Sequence, residues 1–212
     1  MEKHKKALTI LILIIFGVLT LGLVGCKNAK GAPQQLSESK FAYTYGVFLS
    51  VDNTNLSRFD DFETIVIDAE YFDKEDISKL KKDGHIVYSY INIGSIETFR
   101  TFYDRFVGIT LGAYANWDEE RWVNVSKTEW QNFVTGEIAT EYVDKGIDGF
   151  FVDNCDVYYN FAKSEIFEGV GKILKKLVAT GKKVVVNGGD CFVTEYLQKF
   201  GNVGDILTGV NQ

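Results

Sequence analysis

Residues 145–156 read Lys-Gly-Ile-Asp-Gly-Phe-Phe-Val-Asp-Asn-Cys-Asp, and the fold prediction starts from this stretch. A helix predicted over 126–144 stops at Lys145 and Gly146, and residues 149–153 then form a short apolar strand. Polar side chains follow the strand at once. A helix that leads into a near-continuous apolar strand is typical of a parallel sheet covered by helices.

The same alternation extends in both directions along the chain. Further strands are predicted at 45–50, 64–70, 86–94, 122–125, 183–187 and 205–211. Helices are predicted over 73–82, 96–106, 126–144, 163–179 and 192–200. We expect Asp73, Thr194 and Ser126, which has Glu129 three residues later, to cap helices. About seven βα units predict an α/β fold, a (β/α)₈ TIM-barrel-like parallel barrel that is incomplete, with a doubly wound sheet as the alternative.

The length of the chain bears on this prediction. The first 25 residues resemble an export signal, which leaves 212 − 25 = 187 residues for the domain. A complete barrel takes about 250 residues. The chain also stops at Asn211-Gln212, inside or just after a strand. We therefore expect the sequence to be a truncated barrel.

Composition excludes several classes of protein. The chain is 46% hydrophobic and 25% charged with one proline, which describes a globular domain rather than a disordered or multi-span membrane protein. Its 29 acidic residues outnumber 23 basic ones, for a net charge of −6. Without the first 25 residues, which carry three Lys and one Glu, the net charge is −6 − 2 = −8. This balance argues against a nucleic-acid partner.

The N-terminus predicts export and lipid anchoring. Residues 1–25 begin with basic side chains, and an uncharged apolar run follows over 7–24. Leu23-Val24-Gly25-Cys26 resembles a bacterial lipobox, which implies cleavage before Cys26 and lipidation of that cysteine. An uncleaved N-terminal helix is the alternative. Both interpretations place the domain on the extracytoplasmic side of the cell membrane.

The remaining residues divide into a tether and a domain. Residues 26–42 are polar and are expected to link the lipidated cysteine flexibly to a domain over 43–212. Cys155 and Cys191 remain once Cys26 is modified. Outside the cytoplasm they can form a disulfide, but two buried thiols are the simpler expectation.

Polar side chains gather where predicted strands end. They comprise Asp68, Glu70, Asn92, Asp153, Asp156, Asn187, Asp190, Asn211 and Gln212. Active sites in parallel α/β folds form at this edge of the sheet, although each Asp or Asn can also cap a helix or turn. His4 lies in the signal and His85 at the opposite end of a strand, which argues against a histidine triad or zinc site. Carboxylates without histidine suit glycoside hydrolysis or a hard metal such as calcium.

At these residues the chain resembles glycoside hydrolase family 114, TIM-barrel enzymes associated with endo-α-1,4-polygalactosaminidase activity. The resemblance covers Tyr43 to Gln212. Its motifs are Gly94-Ser95-Ile96-Glu97 with Arg100, Trp122-Val-Asn-Val with Trp130-Gln131, residues 145–156, Asn187-Gly188-Gly189-Asp190 and Gly209-Val210-Asn211.

The resemblance implies roles for individual residues. Asp153 matches the family's catalytic aspartate, and Asp68, Asn92, Asp156 and Asn187 match positions that line the sugar site. The second catalytic carboxylate is expected as a glutamate after the last Val-Asn pair. That position is either Gln212 in this chain or just beyond its last residue. Other residues expected to shape the substrate cleft are Glu70, Glu97, Asp190, Asn211 and Gln212.

The leading hypothesis is a lipid-anchored extracytoplasmic glycoside hydrolase that acts on galactosamine-containing polysaccharide by carboxylate acid/base chemistry, without a cofactor or metal. An acidic cleft suits such a cationic polymer. Four aromatic residues could stack against sugar rings, although core packing is the default for each: Tyr90, Tyr114, Trp117 and Trp122. Two alternatives stay open. One is a non-catalytic carbohydrate-binding lipoprotein, and the other is a metal-dependent enzyme that uses the carboxylates.

Overall fold

The computed structural model describes residues 39–115 and 117–212. Three predicted features lie outside these residues: the signal at 1–25, the lipidation of Cys26 and most of the tether. Within them, every helix is too short or too polar to cross a membrane.

Nine strands in the described residues form two separate sheets. They are β1 (Tyr43–Phe48), β2 (Phe62–Ile67), β3 (Ile86–Asn92), β4 (Ser95–Glu97), β5 (Thr110–Tyr114), β6 (Trp117–Val123), β7 (Gly149–Asp153), β8 (Lys183–Asn187) and β9 (Gly209–Asn211). The larger sheet is parallel throughout, in the order β1-β2-β3-β7-β8-β9. The sequence of helices and parallel strands is that of a (β/α)₈ barrel, with six of its eight strands in the described residues.

Helices cover one face of this sheet. The α-helices are α1 (Lys74–Lys82), α2 (Tyr103–Phe106), α3 (Thr128–Asn132), α4 (Ala139–Lys145), α5 (Val157–Asn160), α6 (Ser164–Val178) and α7 (Asp190–Phe200). A π-helical segment, Phe133–Ile138, joins α3 to α4, and short 3₁₀ turns occupy Leu56–Phe59, Ala69–Tyr71 and Val107–Ile109. Alternate strand residues such as Ile65, Phe150 and Val186 are fully buried in the core beneath these helices.

The opposite face of the sheet, which lines the inside of a barrel, has its own small cluster. Val66, Tyr90 and Phe151 are buried there, with Tyr88 and Val185 packed against them. Register places Val47, Val66 and Tyr88 side by side on this inner face, and Asn92 beside Asp153 at the carboxyl end. Apolar side chains therefore fill the lower part of the inner face, and polar ones its upper end.

The expected fourth strand of the parallel sheet is wrong, so residues 39–115 and 117–212 form six parallel strands and not seven. Trp122 and Val123 end β6, which pairs antiparallel with β4 and β5 in the second sheet, of order β4-β6-β5. The apolar alternation that follows Arg121 is common to parallel and antiparallel strands, so it could not distinguish them. The helix expected over 96–106 is also wrong. Ser95–Glu97 pairs as β4, and only Tyr103–Phe106 is α-helical.

One of the three expected helix caps is confirmed. Asp73 accepts a hydrogen bond from the Asp76 amide at 2.8 Å, and the Asp76 carboxylate accepts one from the Asp73 amide at 3.0 Å, which forms a capping box. Ser126 donates its hydroxyl to the Asn124 side chain, and α3 begins two residues later. Thr194 lies inside α7, because that helix already begins at Asp190. Cys155 and Cys191 are free thiols, and Cys155 is fully buried.

Candidate active site

A cleft of about 970 Å³ opens at the carboxyl ends of the parallel strands. Seven of the residues that the sequence selected line it together: Asp68, Glu97, Asp153, Asp156, Asn187, Asn211 and Gln212. This convergence follows from topology, because parallel strands present their carboxyl ends at one edge of the sheet. The second sheet supplies the facing wall through Tyr114 and Trp117–Glu120.

Three selected residues lie elsewhere. Asn92 and Glu70 border a much smaller cavity beneath the cleft, beside Ser95 and Arg100. Asp190 is exposed in a separate depression next to Cys191 on α7. Gly188 and Gly189 both have positive φ, 66° and 70°, and they turn the chain so that Asp190 begins the helix outside the cleft. The expectation that Asp190 shapes the cleft is therefore wrong.

Asp153 ends β7 inside the cleft and is held by an amide chain. The Asn187 side chain donates a hydrogen bond to Asp153 Oδ1 at 2.9 Å, and the Asn211 side chain donates to Asn187 Oδ1 at 2.8 Å. Burial raises the pKa of Asp153 above its ordinary value, while hydrogen bonds from Asn187, the Asn154 backbone and Tyr90 oppose that shift. A carboxyl group oriented in this way and biased toward holding its proton suits acid/base chemistry.

Asp156 lies three residues after Asp153 in the loop that follows β7, and it faces Gly189 in the loop that follows β8. Both of its carboxylate oxygens are 3.3 Å from the Gly189 amide, which donates to them. Burial raises the pKa of Asp156, and the nearby charges of Asp190 and Asp153 act in the same direction, while the Gly189 amide lowers it. A side chain at Gly188 would crowd this carboxylate, so glycine there leaves the group open to the cleft.

Arg100 connects three carboxylates at the other end of the cleft. Its guanidinium lies 2.8 Å from Asp68 Oδ2 and 3.2 Å from Glu97 Oε1, and it also pairs with Glu70. Burial raises the pKa of Asp68, whereas the charge of Arg100 lowers it. For Arg100, burial lowers the pKa, but Glu97 and Asp68 outweigh it and raise the net value. Arg100 therefore compensates Asp68, Glu70 and Glu97 and has little charge left for a ligand.

Glu120 is the cleft residue that sequence reasoning missed. Its Oε1 accepts hydrogen bonds from the Asn92 and Asn154 amides, each at 3.0 Å, and from the Ser95 hydroxyl. Burial raises the pKa of Glu120, and the charges of Glu97 and Asp153 raise it further, against the hydrogen bonds from Ser95 and Asn92. Asn92, expected to contact sugar, thus uses its amide to hold Glu120.

The Asn154 backbone supports this arrangement. Asn154 has φ of 63°, the one positive value at a non-glycine residue in the described chain. Its Oδ1 accepts a hydrogen bond from the Tyr114 hydroxyl at 3.2 Å, and its amide reaches both Ser95 and Glu120. The carbonyl of Asn154 packs on Gly94, where any Cβ would overlap it. A strained residue held by this many partners is typical of a functional site.

The aromatic residues of the cleft fall into two groups. Trp122 and Tyr90 are buried, and the Trp122 ring stacks on Tyr114 with their centroids 4.1 Å apart. These three rings therefore serve mainly to pack the wall of the cleft. Trp117 and Phe99 are instead exposed, by 64% and 58%, at its rim.

The charge of the cleft is strongly negative. Seven carboxylate side chains line it in the described residues, against a single cation, Arg100: Asp68, Glu97, Asp118, Glu119, Glu120, Asp153 and Asp156. Across residues 39–115 and 117–212, no group of three or more His, Cys, Asp or Glu side chains has the arrangement of a metal site. The alternative of a metal-dependent enzyme gains no support from this geometry.

Comparisons with known proteins agree with the fold. The structure of the glycoside hydrolase domain of PelA from Pseudomonas aeruginosa superposes with a TM-score of 0.62 at 16% identity, over 79% of this chain and 65% of that one. Aspergillus fumigatus Ega3, in a complex with galactosamine, superposes with a TM-score of 0.59 at 20% identity, over 79% of this chain and 71% of that one. The α-galactosidase TtGalA from Thermus thermophilus, in complex with stachyose, superposes with a TM-score of 0.57 at 8% identity, over 81% of this chain and 43% of that one. At these identities the likeness shows a shared TIM-barrel fold.

The chain spans 65% of the length of the PelA domain structure. No curated protein matches the chain. The family model described as glycoside-hydrolase family GH114 matches residues 25–185, well over half of the 212 residues. This match includes β1 to β7 and the loop that holds Asp153, Asn154 and Asp156. The chain therefore belongs to glycoside-hydrolase family GH114.

Proposed function

We propose that this protein is a lipid-anchored extracytoplasmic glycoside hydrolase that cleaves galactosamine-containing polysaccharide, with Asp153 as one catalytic carboxyl group. The observation that carries the proposal is the placement of Asp153. It ends a central strand in a cleft of polysaccharide-binding size, its pKa is raised by burial, and an amide chain orients it. Family membership supports the same chemistry.

The charge of the cleft supports a cationic substrate. Because Arg100 is engaged with Asp68, Glu70 and Glu97, the carboxylates of Glu120, Asp153 and Asp156 have no cationic partner in the described residues. Buried carboxylates without a partner are costly, and a ligand that brings positive charge relieves this cost. A polymer of partly deacetylated galactosamine has such charges. The relative Ega3 was crystallised with galactosamine.

Hydrolysis of a glycosidic bond requires two carboxyl groups, one to protonate the leaving oxygen and one to act as nucleophile or base. We propose Asp153 as one of these two groups, in either role. Within the described cleft, Glu120 and Asp156 are the two other carboxyl groups that are partly buried and free of a cation. We propose that the second group is one of these two. The family resemblance puts this group at Gln212 or just beyond it, and the amide of Gln212 cannot exchange a proton in this way.

The test uses residues 27–212 with partly deacetylated galactosaminogalactan and counts reducing ends. We expect D153N to lower the rate about 100-fold or more, the usual effect of losing an acid/base group. Asp144 is a matched control, because it is an exposed aspartate on α4 that does not line the cleft. D144N should keep the parent rate. Equal product release by D153N and the parent protein would contradict the role of Asp153.

Lipid anchoring is tested separately. The full chain, expressed in a bacterium with labelled palmitate, should incorporate label and sediment with membranes. C26S should lose the label and leave the membrane fraction. A C26S protein that is still labelled would show that another residue is modified.

A second function is favoured by Gln212. This residue lines the cleft and has an amide side chain, so the chain can bind sugar without hydrolysing it. A carbohydrate-binding lipoprotein would show saturable binding of galactosamine oligomers and no new reducing ends over days. Slow but D153N-sensitive release of reducing ends would rule this function out.

A further inference from the structure

The rim of the cleft exposes a tryptophan that packing does not explain. The chain has three tryptophans, and Trp122 and Trp130 are 5% and 1% exposed. Trp117 is 64% exposed, yet it lines the same cleft as Asp153. It is the first residue of β6, at the outer end of the second sheet. An exposed indole ring that faces a cleft is typical of a ligand contact rather than of core packing.

The surroundings of Trp117 define the chemistry of that ligand. Asp118 and Glu119 follow it directly, are exposed, and line the cleft beside it. The only cation of the described cleft lining, Arg100, is already paired with three carboxylates. An aromatic face attracts cations, most strongly for tryptophan, and it also packs against the apolar face of a sugar ring. A protonated amino sugar offers both surfaces at once.

Trp117 and Asp153 lie at different depths of the cleft. Trp117 is 64% exposed at the rim, whereas Asp153 is half-buried at the end of the central strand β7, where Asn187 holds its carboxylate. Asn154, the residue after Asp153, donates its side-chain amide to Glu120. The cleft volume of about 970 Å³ is at the upper end of ligand pockets, so more than one sugar fits.

We propose that Trp117, with Asp118 and Glu119, forms an outer binding subsite for a protonated amino sugar, separate from the sugar at Asp153. The inference rests on the proposed function, since it assigns a second contact to the same polysaccharide. Trp117 does not touch the reacting atoms. It therefore positions a long chain and contributes to binding, and not to the rate of bond cleavage once the chain is bound.

Tryptophan fluorescence tests this directly. In the D153N protein, cationic galactosamine oligomers should shift the emission of exposed Trp117 to the blue and saturate. In D153N/W117F the shift should disappear, while the buried Trp122 and Trp130 continue to emit. D153N/W117A should bind the oligomers roughly three- to tenfold more weakly by calorimetry, the effect of one aromatic contact. Because Trp117 is exposed, the melting temperature of these variants should match that of the parent.

Two controls sharpen the result. Tyr159 is 68% exposed in the separate depression beside α7, so Y159A should bind like the parent. Fully N-acetylated oligomers lack the ammonium group, and they should bind more weakly with less dependence on Trp117. Unchanged affinity in D153N/W117A, equal dependence on Trp117 for neutral oligomers, or no binding by the D153N parent overturns the subsite.

These measurements distinguish failure of the Trp117 subsite from failure of the proposed function. Binding through Trp117 without release of reducing ends by the parent protein supports the subsite and rejects hydrolysis. Hydrolysis that depends on Asp153 but shows the same KM in the parent and W117A supports the enzyme and rejects the subsite. With both correct, W117A raises KM for long chains and leaves kcat unchanged.

Discussion

At the scale of single residues, Glu120 is the most informative position. One of its oxygens accepts hydrogen bonds from Asn92 and Ser95, at the junction of β3 and β4, and from Asn154, which follows β7. The same carboxylate lines the cleft. Glu120 therefore joins the second sheet to the ends of two parallel strands, and its chemistry affects both stability and the site.

Two substitutions separate these effects. E120Q keeps an oxygen that accepts the three hydrogen bonds, so it should fold with a free energy of unfolding close to that of the parent at low pH. E120L removes the acceptor that these donors share, so Asn92 and Asn154 keep only Ser95 as a partner for their amides, and it should lose roughly 1–3 kcal/mol, the cost of a buried hydrogen-bonding group left unsatisfied. Urea unfolding of both proteins measures the difference. Equal stability of E120L and E120Q would show that the hydrogen bonds contribute nothing.

The direction of the pKa shift of Glu120 predicts how the stability of E120Q, relative to the parent, depends on pH. Burial raises the pKa of Glu120 in the folded protein above its unfolded value. A group of this kind stabilises the fold fully below its unfolded pKa and loses that contribution as pH rises through its folded pKa. E120Q has no such loss. We expect the free energy of unfolding of E120Q to rise relative to that of the parent as pH rises from 4 to 8. A constant difference between the two free energies across this range would contradict the raised pKa of Glu120.

At the scale of elements, the contact between two strand ends decides the geometry of the site. Gly94, between β3 and β4, packs against the carbonyl of Asn154 just after β7. The neighbouring amide of Ile93 also donates to the Asp153 carbonyl at 3.2 Å. These contacts hold the loop that carries Asp153, Asn154 and Asp156.

G94A should disrupt this loop, because the added Cβ overlaps backbone that cannot move without displacing Asn154. We expect a loss of roughly 1–3 kcal/mol in unfolding free energy, typical of overpacking, together with loss of activity. Gly136 is the matched control, since a Cβ there meets nothing within 4 Å. G136A should be neutral or slightly stabilising. A G94A protein as stable and active as the parent would show that the loop is not constrained by this contact.

At the scale of elements, the sequence predicted the parallel strands and the carboxylates at their ends, but it did not predict the position of Glu120. The Val- and Ile-rich runs predicted six strands of the parallel sheet, and carboxylates at their ends predicted that Asp68, Asp153 and Asp156 meet. Glu120 could not be found in this way, because it lies in a charged stretch, Trp117–Arg121, that has the pattern of a solvent-exposed strand. Its burial depends on a tertiary fold of the second sheet over the cleft. Local sequence does not encode such a contact.

At the scale of the whole molecule, the described residues cover the inner face of the sheet only in part. β1 and β9 are the edges of the sheet, and Tyr45, Val47 and Ile86 on the inner face are 40%, 42% and 41% exposed. In closed barrels such residues fill the interior in packed layers. A contiguous apolar surface of this kind promotes association.

We expect the purified 27–212 polypeptide to bind the dye ANS and to self-associate at high concentration. V47K should reduce both effects, since it places a charge on the exposed inner face. Leu197 is a matched control, an apolar residue 47% exposed on α7, and L197K should leave the dye signal unchanged. Light scattering and ANS fluorescence are the measurements. A monodisperse parent protein without dye binding would show that the inner face is covered in solution.

The second sheet has a consequence for how specificity can evolve. β3 and β7 are neighbours in the barrel, yet the chain between them includes the whole of β4, β5 and β6. Glu97, Arg100, Trp117 and Glu120 all lie on this single insertion. Descendants can lengthen, shorten or exchange it as one genetic unit while the strand register of the barrel is inherited intact. Preference for a new polymer can therefore change on this insertion while the strands that hold Asp153 stay as they are, provided that Glu120 keeps its contact with Asn154.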